Sequence, residues 1–178
     1  MVVHPLLTSL SSDLVIGYLD DFTLGGLLDT VAADVASIRL KGAALGLSLN
    51  AMKSEVISRS GDISNSQFIG FRQVTPDSAT LLGAPIFSGQ AMDNILSTLH
   101  ADLKLAIDRL QLISAHDALV LLKSCLGGPK LQYILRVSPC CEHPVLAQID
   151  EQLRMALTKT CNISLTDDQW TQAVFWCG

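Results

Sequence analysis

The sequence of 178 residues predicts an α+β fold, on three observations. Short runs rich in β-branched and aromatic residues, divided by turn signals, dominate the first half. One helical period interrupts them after Gly26, and from about Gln90 onward every apolar pattern is helical. Strands thus come early and helices late, which is the segregated rather than the wound arrangement. Apolar residues make up 49% of the chain and charged residues 16%, below the usual quarter. Such a chain is expected to carry apolar faces that something else covers, and hence to self-associate. No uninterrupted apolar run approaches the ~18 residues a spanning helix needs, so no membrane partner is expected. "MVVHPLLTSL" lacks a basic leader, so no signal peptide is predicted and an intracellular setting is expected. The five cysteines (Cys125, Cys140, Cys141, Cys161, Cys177) are odd in number and are read as reduced thiols.

"VVHPLL" has the look of a helix tail. "DLVIGYLDD" and "FTLGG" are two β-rich runs flanking an Asp-Asp corner, the pattern of a hairpin. Leu28, Val31, Ala32, Val35, Ile38 and Ala43 then fall at helical spacing. Asp29 or Thr30 is the candidate N-cap, and Gly46 the left-handed terminator. "LSLNAMKSEVI" alternates as one strand would, and "QFIGFRQVTP" and "ATLLGAPIF" predict two more, with a turn at Pro76-Asp77. The order is therefore β-α-β-β-β.

The helical remainder opens with a stripe of Met92, Ile95, Leu96, Leu99, Leu103, Ala106, Ile107 and Leu110. Ser114 with Asp117 forms a candidate capping box for a helix that Gly127 ends. Pro129 suits a first helical position, and Pro139 stops that helix. Pro144 starts another, with Val145, Ile149, Leu153 and Leu157 on one face. Thr166 with Gln169 is a second candidate capping box. The predicted boundary lies after residue 88, giving parts of 1–88 and 89–178.

The Asp20-Asp21 corner carries the chemistry. Two adjacent carboxylates at the end of a buried strand repel unless a cation offsets them. Mg²⁺ suits such a place, since it takes few protein carboxylates and completes its shell with water and substrate phosphates. A pair of such ions ~4 Å apart activates a hydroxyl and stabilises a departing pyrophosphate. Taken alone, however, Asp-Asp is a common dipeptide and most instances are solvated turns.

"YLDD" (Tyr18 to Asp21), following "LVIG", resembles the Tyr-x-Asp-Asp motif of reverse transcriptases. "LGLSLNAMKSEVI" resembles that family's next palm motif, and "LLGAPI" its Leu-Gly hairpin, the primer grip. The order and spacing of the three agree with the family. "CLGGPKLQYILRVSPC" and "LTDDQW" are similar to retroelement reverse transcriptases of animal genomes, so the resemblance spans essentially the whole chain.

The resemblance implies a partial polymerase palm over 1–88 and a helical thumb- or connection-like region over 89–178. It implies RNA-directed DNA synthesis by a two-metal mechanism in the complete protein, with Mg²⁺ or Mn²⁺, dNTPs and an RNA or DNA primer–template. By position, Asp20 binds the catalytic metal and Asp21 supports it, Tyr18 lies beneath the primer end, and Lys53 stands near the nucleotide phosphates. Leu82 and Gly83 fall in the primer grip. The family also uses an aspartate on an earlier palm strand, and fingers, to which nothing upstream of Tyr18 corresponds. The start would then be the tail of the helix after the Gly-rich motif, Met1 an internal methionine, and the end at Cys177-Gly178 equally abrupt. The chain alone is accordingly expected to be inactive.

Two readings compete: a non-enzymatic retroelement remnant acting as a helical interaction module, or a nucleic-acid-binding module using the thumb alone. Lys104, Arg109, Lys123, Lys130 and Arg136 would line a primer–template face, or are ordinary solvated helix faces. The net charge of −5 favours the latter. "CCEHP" (Cys140, Cys141, His143) is a poor zinc candidate, because adjacent cysteines do not readily take two tetrahedral positions on one ion.

Overall fold

A computed structural model describes residues 4–61 and 63–175. The chain is α+β and forms two compact units, Met1–Thr75 and Pro76–Gly178. The division falls ahead of residue 88 because the segment after Pro76 packs with the helices that follow it, Ala84 joining their core.

In the first unit, α1 (His4–Leu7) precedes the hairpin of β1 (Leu14–Tyr18) and β2 (Asp21–Gly25), which pair antiparallel from Leu14↔Gly25 to Tyr18↔Asp21. The expected hairpin is present. Residues 1–3 of the predicted helix tail, with Met1, lie outside the described residues. Helix α2 (Leu28–Ala44) buries Ala32, Val35 and Ile38, the face that the spacing predicts. Its N-cap is Leu27, so neither Asp29 nor Thr30 caps it. The helix begins directly after Gly26, leaving Asp29 in the first turn, where a carboxylate favours the dipole. At the other end Leu47 N–H donates to Gly42 O (2.9 Å) and Gly46 N–H to Ala43 O (3.1 Å). With Gly46 at φ +75°, this is a Schellman closure.

The single strand predicted over Leu47–Ile57 does not form. Asn50 Oδ1 accepts the Lys53 N–H (3.3 Å) and closes a 3₁₀ turn, Ala51–Lys53, before a short β3 (Glu55–Ile57). A side chain that bonds nearby backbone offers the chain an alternative to the ladder, and here it prevails. In the same way Asn65 Oδ1 takes the Gln67 N–H (2.9 Å) and caps a 3₁₀ turn at Ser66–Phe68. The run beginning at Gln67 is thereby shortened to β4 (Arg72–Val74), parallel to β3. An exposed Arg72–Glu55 ion pair bridges the two. Leu24, Val31, Val56 and Phe71 pack around Ala32, Val35 and Phe68 as this unit's core.

In the second unit, the run 79–87 is not one strand. It is a tight hairpin, β5 (Thr80–Leu81) and β6 (Ala84–Pro85), turning at Leu82-Gly83. The helices are α3 (Gln90–Leu110), α4 (Ala115–Leu121), α5 (Gly128–Val137), α6 (Pro144–Cys161) and α7 (Asp167–Phe175). Met92, Leu96, Leu103 and Leu110 of the predicted stripe are the buried residues of α3. One core joins Met92 and Leu96 to Ala84, Ile134 and Cys140; a second joins Leu110 to Ala118, Leu122 and Ala156.

Thr166 and Gln169 form the full capping box, with reciprocal bonds of 3.0 and 3.3 Å, whereas at Ser114 only the N-cap half forms: its Oγ accepts the Asp117 N–H (3.2 Å) and donates to Asp117 Oδ2 (2.7 Å). A π-turn, Leu122–Leu126, follows α4 and closes on Gly127, whose N–H donates to Leu122 O (2.9 Å). Cys125, Cys140, Cys141 and Cys161 carry free thiols; Cys177 lies outside the described residues. Burial raises the Cys140 thiol pKa. The described strands form three separate two-stranded ribbons.

Candidate functional site

The β1–β2 register settles how the Asp-Asp corner is built. Tyr18 pairs with Asp21 across the ladder, so Leu19 and Asp20 make the two-residue turn and Asp21 opens β2. Alternation puts Leu14, Ile16 and Tyr18 on one face, opposite Gly25, Thr23 and Asp21. This face is largely exposed, Tyr18 by 61%. The other face carries Leu24 toward the core and holds Gly17, where a Cβ would overlap Leu7 Cδ1. Gly17 therefore lets α1 lie against the hairpin just before the tip.

Leu19 adopts φ +57°. A leucine in the left-handed region costs about 1–2 kcal/mol, and two-residue hairpin turns ordinarily place Gly or Asn at such positions. Leu19 is 69% exposed, so burial of its side chain does not offset that cost.

The approach to β1 is fixed by a residue outside the three motifs. Asp34 of α2 is only 5% exposed. Its carboxylate accepts the Ser11 N–H at 3.0 and 2.9 Å, the Ser12 N–H at 2.7 Å and the Ser12 hydroxyl at 2.6 Å. Burial alone would raise its pKa; these bonds, with the charge of Lys41, outweigh burial and hold it below the ordinary aspartate value. Ser11 and Ser12 lead directly into β1, so Asp34 clamps the base of the hairpin onto α2. The signal in the sequence was an acidic residue one position before Val35, within the apolar stripe.

Asp20 and Asp21 are exposed. Neither carboxylate accepts a hydrogen bond or pairs with a cation among the described residues. At an exposed turn, repulsion between two carboxylates ~4 Å apart is only about 1 kcal/mol. The fold therefore needs no cation to hold this corner together. What the corner offers is two free carboxylates, which suits an ion that keeps much of its water. Among the described residues no group of three or more His, Cys, Asp or Glu side chains converges, so no third ligand joins them.

Lys53 is exposed at the end of its 3₁₀ turn rather than on a strand, and forms no ion pair with Asp20 or Asp21. In the second unit, Leu82 (φ +51°) and Gly83 (φ +79°) form the β5–β6 turn, with Leu82 67% exposed. Positive φ at both central residues is the type I′ pattern, which Asn-Gly favours. Tyr133 of α5, which no sequence pattern singles out, donates its hydroxyl to Leu82 O at 2.6 Å.

The Cys140-Cys141-His143 cluster has other work. Cys140 is buried with its thiol 3.7 Å from Ile134 O. His143 Nδ1 accepts the Val145 N–H (3.3 Å) as the cap of α6, which leaves the proton on Nε2 facing Asp93 Oδ1 at 2.9 Å. The open clefts lined by residues such as Ile163, Leu165 and Gln169 contain none of the candidate residues. No family model, curated protein or solved structure matches this chain.

Proposed function

We propose that the chain is a palm and thumb portion of a retroelement reverse transcriptase, an RNA-directed DNA polymerase in its complete form. One observation carries the reading beyond the motifs. Among the described residues, three that are not glycine have positive φ: Leu19, Leu82 and Asn162. Asn162 caps the C-terminus of α6, where that conformation is ordinary. The two leucines occupy the tips of the two turns that the motifs single out. Backbone strain at exposed tips, with no packing gain, is characteristic of positions held for function.

In this reading Asp20 and Asp21 hold Mg²⁺ or Mn²⁺, which supplies activation of a primer 3′-hydroxyl and stabilisation of pyrophosphate. Tyr18, on the same face as Asp21, supports the primer end, Leu82 and Gly83 grip the primer strand, and Lys53 serves the nucleotide phosphates. Two carboxylates without a third give weak metal binding and no nucleotide addition by this chain alone.

The test is titration of the purified chain and Asp20→Asn with Mn²⁺, with primer extension on the same samples. Saturable Mn²⁺ binding that the substitution abolishes, without extension, is the expected result. No binding in the parent chain removes the reading, and extension by the parent chain overturns the prediction of inactivity.

A second reading, a non-enzymatic interaction module, is favoured by the exposed apolar surface. Leu14 and Ile16 on the hairpin, and Val120, Leu121, Leu135 and Val137 in the second unit, all face solvent. It predicts concentration-dependent self-association in sedimentation velocity, and a monomer at all concentrations counts against it.

A further inference from the structure

We infer that Tyr133 is a positioning residue for the Leu82-Gly83 turn. The inference rests on the polymerase reading only for what the turn touches. The β5–β6 ribbon has two residues in each strand and no third strand beside it. A ribbon this short is marginal in water and does not by itself enforce a left-handed leucine at its tip. Its base is secured, since Ala84 and Pro85 are both buried. Its tip projects: Leu82 is exposed, and a Cβ built on Gly83 would meet nothing within 4 Å.

Among the described residues, the one side-chain hydrogen bond to the tip comes from Tyr133, whose hydroxyl lies 2.6 Å from Leu82 O. The ring of Tyr133 is 48% exposed, but the backbone that carries it is anchored: its neighbour Ile134 is buried in the core formed with Ala84, Met92, Leu96 and Cys140. The helical turn that presents the phenol is thus held by the same packing that secures the base of the ribbon.

The consequence is directional. A two-residue turn of this kind has a close alternative, type II′, reached by flipping the central peptide; the two differ in the sign of φ at the second residue. In a trans peptide the carbonyl and the N–H point opposite ways. Holding Leu82 O against Tyr133 therefore selects one orientation and turns the Gly83 N–H away from α5. That N–H is not the donor that closes the turn, a role belonging to Ala84 at the fourth position. It is a backbone donor aimed outward at an open tip. Such a donor suits an anionic oxygen, which in the proposed function is a phosphate oxygen of the primer strand. Tyr133 touches no substrate in this scheme and acts through the peptide it orients.

The experiment compares the full chain with Tyr133→Phe, which keeps the ring and removes the donor. Glycine-labelled NMR reads the Gly83 amide without any ligand, and anisotropy reads binding of a labelled RNA–DNA primer–template duplex. The expected result is a displaced Gly83 amide resonance, an unchanged thermal midpoint, and duplex affinity lower by about two- to tenfold, as for loss of one hydrogen bond. Adding Leu82→Asn, which favours the same turn intrinsically, restores the Gly83 amide signal.

An unchanged Gly83 amide overturns the inference, as does unchanged affinity in the substituted chain when the parent binds. If the parent does not bind the duplex, the polymerase reading fails separately, and the Gly83 amide still decides the role of Tyr133.

Discussion

Replacing Asp34 with asparagine tests how the candidate hairpin is held. The side chain keeps its size but loses its charge and one of two acceptor oxygens. The carboxylate now receives three donors: the Ser11 N–H, the Ser12 N–H and the Ser12 hydroxyl. A hydrogen bond to a charged group contributes about 1.5–3 kcal/mol net, and a stranded donor costs a comparable amount. Because the three donors share one group, these figures do not add. The expected loss is about 2–4 kcal/mol at pH 7, confined to the first unit.

The pH dependence has a definite sign. The Asp34 pKa is lowered in the folded chain, chiefly against burial, by the bonds to Ser12 and Ser11. Its contribution is therefore complete above the ordinary aspartate range and disappears as pH falls through the lower folded value. The gap between parent and Asp34→Asn should be widest at neutral pH and narrow below about pH 4. Urea unfolding by circular dichroism, with amide exchange along the β1–β2 ladder, measures it. A gap under about 0.5 kcal/mol at pH 7, or one that persists undiminished in acid, would refute the clamp.

Three further outcomes follow from the geometry. Gly17→Ala sets a methyl against the end of the Leu7 side chain, which must turn aside, and should cost under about 1 kcal/mol in urea unfolding, with the loss recovered by adding Leu7→Ala. Leu19→Gly should leave stability unchanged or raise it by up to about 1 kcal/mol, while Leu19→Val should lower it, because a β-branched residue tolerates positive φ least. A thermal midpoint that falls with the glycine would mean that Leu19 is not strained. His143→Ala removes the cap of α6 and the contact with Asp93, for about 1 kcal/mol in thermal unfolding. His143→Asn should recover much of that, and equal losses in the two variants would exclude the capping role.

The helices and most of their ends were legible in the sequence, the start of α2 excepted. A stripe such as Met92, Leu96, Leu103 and Leu110 needs only local spacing to declare its face, and caps such as Ser114, Thr166 and Gly46 act within one turn of the chain. The sequence also placed the Asp20-Asp21 hairpin and, through the resemblance, the Leu82-Gly83 turn. The strands between them were misjudged, because Asn50 and Asn65 drew nearby N–H groups into 3₁₀ turns that alternation does not register.

Tertiary structure alone decided the rest. Asp34 reaches Ser11 and Ser12 across 23 and 22 residues, and Tyr133 reaches Leu82 across 51. Neither contact leaves a periodic trace, since each depends on where packing sets one backbone against another. The left-handed leucines are of the same kind. Nothing in the letters Leu19 and Leu82 announces a positive φ; the two-residue turn that joins β1 to β2 sets it at Leu19, and at Leu82 the short β5–β6 turn adopts it beside the bond from Tyr133. Local chemistry fixes elements whose stabilising contacts lie within a few residues, and only the folded chain fixes a conformation whose cost is met by distant groups.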